Sequence, residues 1–121
     1  MQHQRVILVG DSIRCYYGPT VIARLAGAAE VISPETIGGD SRNVLAHLAR
    51  VIDRQPDLVH LNCGLHDLKR EFATPERTQV PLDEYTANLR AIFSRLRAET
   101  SAVLIWRTTT PVLYARHHAV K

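Results

Sequence analysis

Two features of the 121-residue sequence predict an α/β fold with a parallel sheet. Short apolar runs of strand length alternate with longer segments whose apolar residues recur at helical spacing. Several of the short runs are apolar throughout, as is typical of strands that are buried on both faces. Right-handed crossovers then place helices on both faces of the sheet, which gives three layers.

Four segments fit buried strands, and the first three are each closed by a residue that ends regular structure. The first, RVILVG, ends at Gly10, the second stops before Pro34, and the third, LVHLNC, is closed by Gly64. The fourth is AVLIW. The predicted strands are residues 5–10, 29–33, 58–63 and 102–106.

Three segments between these strands fit helices. Pro19 suits a helix start, Asp40 and Ser41 can cap the second helix, and Pro56 follows its end. Leu82–Glu99 has the clearest helical spacing of apolar residues. The predicted helices are residues 19–28, 40–54 and 82–99, and residues 65–81 form a long polar loop.

Composition and charge exclude several classes of partner. The net charge is only +3, basic and acidic residues are interspersed, and aromatic residues make up 6% of the chain, so no nucleic-acid face is indicated. No apolar run approaches the roughly 20 residues that span a bilayer, and no leader is apparent, so we expect a cytoplasmic protein without a membrane partner. Cys15 and Cys63 are expected to be reduced thiols and not zinc ligands.

Three loops follow strands and should meet at one edge of the sheet, where parallel sheets bind ligands. Ser12 lies on a sharp turn after the first strand, as an acyl-transfer nucleophile requires. Gly38 and Gly39 precede a helix start, where backbone N–H groups can approach an anion, and His66 follows the third strand. Each loop alone also fits a structural role: a capping serine, a tight turn or a solvated histidine.

Together the loops resemble the sequence blocks of the GDSL/SGNH hydrolases: GDS at 10–12, GGDS at 38–41 and GLHD at 64–67. The resemblance implies a flavodoxin-like three-layer α/β/α sandwich with strand order 2-1-3-4-5. It also implies that Ser12 is the nucleophile and one oxyanion donor, and that Gly39 is the second donor. His66 stands where the family has asparagine, and an imidazole N–H can also donate to an oxyanion.

The family's last block, Asp-x-x-His, supplies the catalytic base and has no counterpart in the expected place. Asp57 and His60 have this spacing but lie at the third strand, so we interpret them as a strand-start residue and a strand side chain. His117 and His118 are interpreted as solvated tail residues. We therefore expect residues 1–121 to form a single, C-terminally incomplete domain of this type, without the fifth strand and last helix, and with weak activity or none.

Two functions are compatible with these residues. The first is a serine ester hydrolase that acts through an acyl-enzyme on small-molecule esters, such as acetylated sugars, with no metal or other cofactor. The alternative is a non-catalytic module that binds an anion or another ligand with its glycine-rich loops. His66 as the base for Ser12 is a further alternative. The uncovered edge of residues 102–106 predicts self-association, unless the tail covers it.

Overall fold

Strands and helices alternate along the chain in the computed structural model, which describes residues 4–34, 36–70 and 77–112. Each of the first three strands is followed by a segment that returns the chain to the same end of the sheet, as parallel pairing requires. The elements are β1 (Gln4–Val9), α1 (Ser12–Leu25), β2 (Ala29–Ile32), α2 (Ser41–Ala46), α3 (Leu48–Ile52), β3 (Leu58–Leu61), α4 (Leu82–Glu99) and β4 (Val103–Trp106).

The four strands form one parallel sheet in the order β2-β1-β3-β4. Ile7 of β1 is in register with Ile32 of β2 on one side and with Val59 of β3 on the other. The predicted fold class, including the flavodoxin-like start of the strand order, is confirmed. The carboxyl ends of β1, β2 and β3 therefore lie at the same edge of the sheet, as the sequence analysis required.

Alternate residues of β1 enter two different layers. Ile7 and Val9 belong to the main core, which they share with buried side chains of α2, α3 and α4. Val6 and Leu8 point to the other face, where they line a groove together with Tyr17 of α1. This alternation follows from the two-residue period of a strand and establishes the three layers.

The first helix begins seven residues earlier than predicted. The buried Asp11 is its N-cap, and its carboxylate accepts a hydrogen bond of 3.0 Å from the Ile13 amide. Pro19, predicted as the helix start, lies inside α1. Proline removes one hydrogen bond from a helix interior, but a satisfied cap and packing on the sheet stabilise the helix around it.

The second predicted helix, residues 40–54, is divided at His47. The backbone there has φ of −108° and ψ of 11°, and α2 ends before this residue while α3 begins after it. The His47 ring contacts the Asn43 carbonyl, with 2.9 Å between Nδ1 and the oxygen. Val44 and Val51 are nevertheless both fully buried, so the apolar stripe predicted across this segment still covers the sheet.

The two faces of the sheet are covered unequally by the described residues. Three helices cover one face, whereas α1 alone contacts the other. On the α1 side a groove of about 370 Å³ remains beside β4, and the side chains of Val103 and Ile105 are 61% and 42% exposed. Within the described ranges, no helix is both long and apolar enough to cross a bilayer.

Candidate active site

Ser12 is presented at the point where β1 ends and α1 begins. It is the first residue of α1 and is exposed, whereas the preceding Gly10 and Asp11 are buried. Because Asp11 caps the helix, its backbone turns sharply and leaves Ser12 on the outside of the turn. The serine hydroxyl therefore lies at the carboxyl edge of the sheet, next to the N-terminal amides of a fourteen-residue helix.

A buried arginine ties the first loop to the second. Arg14 is only 2% exposed, and its Nη2 donates to the carbonyls of Gly10 at 3.2 Å and Ile37 at 3.5 Å. Its Nη1 donates to Ser33 Oγ at 2.9 Å. Sequence analysis missed Arg14, because a charged residue beside a turn gives no signal of burial. The guanidinium joins the turn before Ser12 to the loop that follows β2.

The two glycines of the second loop meet different structural requirements. A Cβ on Gly38 would lie 1.8 Å from the Gly10 carbonyl oxygen, so only glycine fits against the first loop. Gly39 has φ of +78°, and a Cβ there would meet nothing within 4 Å. Gly38 therefore provides close approach, whereas Gly39 provides a left-handed turn on the open side of the loop.

The third loop is joined to the second through a buried carboxylate. Asp67 is 3% exposed and accepts the Ser41 amide with both oxygens, at 3.0 and 3.1 Å. Its Oδ2 also accepts the Ser41 hydroxyl at 2.5 Å, and Asn88 of α4 donates to that hydroxyl at 3.0 Å. Burial raises the pKa of Asp67 above its ordinary value, although the hydrogen bonds from Ser41 oppose this.

Two further contacts support the second loop. Gln79 donates to the Asp40 carboxylate at 2.6 Å, and the other oxygen of that carboxylate caps α2 by accepting the Asn43 amide at 2.8 Å. The Asn43 side chain in turn donates to the Gly38 carbonyl at 2.6 Å. The helix cap predicted at Asp40 is therefore present. All three strand-end loops converge at one edge of the sheet.

His66 is exposed on the turn that follows β3. The turn is closed by a 3.1 Å hydrogen bond from the Leu68 amide to the Gly64 carbonyl. None of the three histidines in the described ranges has a hydrogen bond to Ser12: His47 contacts Asn43, His60 contacts Tyr17, and His66 is exposed. His117 and His118 lie outside the described residues.

Asp57 and His60 occupy the structural positions predicted for them. The Asp57 carboxylate accepts the Arg5 amide at 2.7 Å at the start of β3. His60 lies within β3 and stacks edge-on against Tyr17, with 5.9 Å between the ring centroids. Burial, and then the nearby charge of Arg107, lowers the pKa of His60, so the imidazole is neutral at physiological pH.

The two cysteines are both free thiols but differ in environment. Cys15 is exposed on α1, whereas Cys63 is buried at the end of β3. Burial raises the pKa of the Cys63 thiol to about 12, and the nearby carboxylates add to this effect. Cys63 is therefore a neutral core residue and not a competing nucleophile. The described residues contain no group of three or more histidine, cysteine or acidic side chains placed to hold a metal ion.

An apolar cavity of about 340 Å³ adjoins the third loop. Tyr85 of α4 lies at its wall and donates from its hydroxyl to the Cys63 carbonyl at 2.7 Å. Burial raises the pKa of this phenol, so it stays protonated at neutral pH. The cavity is lined by Gly64, Asp67, Leu68, Thr78, Val80, Leu82, Tyr85 and Thr109.

The parallel sheet and its three convergent loops define a flavodoxin-like α/β protein with an exposed serine after the first strand. Known structures share this fold. The crystal structure of TesA matches 96% of this chain and 67% of its own, with a TM-score of 0.70 and 24% identity. That of the acetyl xylan esterase AlAXEase matches 83% of this chain and 56% of its own, with a TM-score of 0.67 and 20% identity.

Sequence comparison supports the same relationship. The isoamyl acetate-hydrolyzing esterase 1 homolog of Mus musculus is 31% identical over 105 residues, or 78% of this chain. No model of a known protein family matches the sequence. The chain is therefore similar in sequence to this esterase and in fold to the two crystal structures, in agreement with the resemblance of its three loops to the GDSL/SGNH hydrolase blocks. The chain spans 42% of the length of the mouse relative.

Proposed function

We propose that this chain carries the serine and the oxyanion-binding loops of a carboxylic ester hydrolase. The observation that carries the proposal is the convergence of three loops on the turn that presents Ser12. Arg14 and Gly38 hold the second loop against the first, and Asp67 holds it against the third. Glycine-rich backbone held rigidly beside a serine suits stabilisation of an oxyanion.

In the proposed reaction, Ser12 Oγ attacks the ester carbonyl while a base takes its proton. The tetrahedral oxyanion accepts hydrogen bonds from the backbone N–H groups of Ser12 and Gly39 and from the ring of His66. The C–O bond to the alcohol then breaks, and the base returns the proton to the departing oxygen. Water then hydrolyses the acyl-enzyme, which releases the carboxylic acid and restores Ser12.

Among the described residues, no histidine is placed to act as the base for Ser12. His47 and His60 are engaged elsewhere, and His66 is assigned to the oxyanion. A serine with no base loses most of its nucleophilicity, although an oxyanion hole alone retains a residual enhancement of roughly 10³–10⁴-fold. We therefore propose that the 121-residue chain is weakly active.

The proposed substrate is an ester with a small acyl or alcohol group. The names of two relatives refer to esters of acetic acid, isoamyl acetate and acetyl xylan. An acetyl ester is therefore the first substrate to test.

The experiment is hydrolysis of p-nitrophenyl acetate by the wild-type chain and by Ser12→Ala, from pH 5 to 9. We expect the variant to fall to the background rate, because its only change is the missing nucleophile. Ser94→Ala, which removes an exposed hydroxyl from α4, is the matched control and should keep the wild-type rate. Equal rates for wild type and Ser12→Ala would refute hydrolysis by this chain.

The alternative of an anion-binding module is disfavoured by the charge around α2. The start of this helix already faces two carboxylates, those of Asp40 and Asp67, and the Ser41 amide is taken by the second. An anion placed there would be repelled by both.

We also propose that residues 1–121 fold as one domain and self-associate through β4. Among the described residues, β4 pairs only with β3, and its other edge carries unpaired backbone groups.

The two free thiols suit a reducing compartment such as the cytoplasm, which we propose as the location.

Sedimentation velocity at increasing protein concentration tests the self-association. We expect the wild-type chain to form dimers or larger species, and Ile105→Lys to shift it to monomer because a charge at the edge opposes pairing. Ile22→Lys is the matched control, since Ile22 of α1 is 43% exposed and Ile105 is 42% exposed. A wild-type monomer at every concentration would exclude the proposal.

A further inference from the structure

The amide of Gly39 can assist Ser12 only if the second loop is held in place on both sides of this residue. On one side Gly38 packs against Gly10, with no room for a side chain between them. Gly39 itself has an open side and a left-handed backbone, so its own contacts do not determine where its amide points. The segment after Gly39 must therefore supply the second constraint.

That constraint is the pair formed by Ser41 and Asp67. Ser41 lies two residues after Gly39, and both its amide and its hydroxyl donate to the Asp67 carboxylate. One amide N–H shared by both carboxylate oxygens, together with the hydroxyl, defines the orientation of the Ser41 peptide more narrowly than a single bond would. Asn88 of α4 completes the arrangement by donating to the Ser41 hydroxyl at 3.0 Å.

The free-energy cost of burying the Asp67 carboxylate argues against a role in stability alone. Its carboxylate is buried, and no arginine or lysine in the described ranges forms an ion pair with it. A buried charge without a cation is costly, and hydrogen bonds offset this cost only in part. A neutral side chain would avoid this desolvation penalty. The carboxylate therefore serves to orient Ser41, whose amide and hydroxyl it binds.

We propose that Asp67 is a positioning residue that sets the direction of the Gly39 amide through Ser41. The inference rests on the proposed hydrolase function, because it gives the second oxyanion donor its support. Asp67 acts through Ser41 and takes no part in bond making or breaking. The ion pair between Arg42 and Glu84 also joins α2 to α4, and Glu84 is hydrogen-bonded to Asn88, the residue that donates to the Ser41 hydroxyl.

The first test compares kinetics of p-nitrophenyl acetate hydrolysis in Asp67→Asn, Ser41→Ala and the control Glu99→Gln, which changes an exposed carboxylate paired with Arg95 at the end of α4. Loss of one oxyanion donor lowers kcat by about 10²–10³-fold, so a misdirected donor should lower it by at least about tenfold. We expect this fall in Asp67→Asn with KM within about twofold of wild type, a smaller fall in Ser41→Ala, and no change in Glu99→Gln. If Asp67→Asn does not fold, Ser41→Ala carries the comparison.

The second test does not depend on catalysis and uses the amide resonances of Gly39 and Ser41 in solution. We expect both to move in Asp67→Asn and to stay in place in Glu99→Gln. The wild-type Ser41 amide should also follow the ionisation of Asp67 as pH falls. Of the groups that interact with Asp67, Cys63 and Tyr85 have raised pKa values and stay neutral, whereas Asp40 and Arg42 are its charged neighbours.

The two tests separate the two proposals. If Ser12→Ala is inactive but Asp67→Asn keeps wild-type kcat, the hydrolase function stands and the positioning role is wrong. If wild type is no faster than Ser12→Ala, the hydrolase function fails, and the amide resonances alone decide the role of Asp67. Unmoved Gly39 and Ser41 resonances in folded Asp67→Asn would overturn the positioning role in either case.

Discussion

Replacing Gly38 by alanine is expected to destabilise the fold by more than about 4 kcal/mol. Losses of this size arise only from severe steric or packing defects. The new Cβ would lie 1.8 Å from the Gly10 carbonyl oxygen and 2.8 Å from its carbonyl carbon. Neither atom belongs to a flexible side chain that could rotate away. Gly10 directly follows β1, which pairs with strands on both sides, so the first loop cannot retreat without disturbing the centre of the sheet.

The matched control for Gly38→Ala is the same substitution at the next residue, Gly39. Gly39→Ala meets nothing within 4 Å, and its cost is the left-handed backbone at φ of +78°, about 1–2 kcal/mol. Urea denaturation followed by fluorescence of Trp106, the single tryptophan, which packs edge-on against Phe93, would measure both changes. Equal stability of the two variants would mean that the first and second loops are not in contact.

The second large effect is expected for Arg14→Met, which keeps an apolar stem of similar length but removes the guanidinium. The carbonyls of Gly10 and Ile37 and the Ser33 hydroxyl would then lose a charged donor inside the protein. Buried acceptors that lose such a partner each cost roughly 1–3 kcal/mol, so we expect a loss of about 3 kcal/mol or more. The same denaturation measurement applies.

Arg24→Met on the same helix is the matched control for Arg14→Met. Arg24 is exposed in the last turn of α1, and its replacement should change stability by no more than about 0.5 kcal/mol. A comparable loss in both variants would show that the charge of the helix, and not the link between the loops, is responsible. A fall in stability confined to Arg14→Met would confirm the buried link.

The strands were predictable because their apolar runs are short and three of the four end at glycine or proline. The structure places them within two residues of the predicted bounds, as with β3, which ends at Leu61 and not at residue 63. The start of α1 was not predicted, because Pro19 is a strong sequence signal and the cap at Asp11 depends on one local hydrogen bond. The break at His47 was missed because the apolar spacing continues through it.

The candidate site was predictable only to the level of its loops. The parallel sheet implied that the residues after β1, β2 and β3 meet, and they do. The contacts that hold them, those of Arg14 and of Asp67 with Ser41, were not predictable, since burial of a charge depends on partners distant in sequence. The roles of Ser12, Gly39 and His66 remain predictions.

The central place of β1 has a consequence for how the chain acquires its structure during synthesis. β1 is made before its neighbours, yet it pairs with both β2 and β3, and the second partner begins only at Leu58. Until then the emerging polypeptide carries an apolar strand with an unsatisfied edge, which is the kind of surface that chaperones protect. The nascent chain is therefore most vulnerable to aggregation before the third strand has left the ribosome.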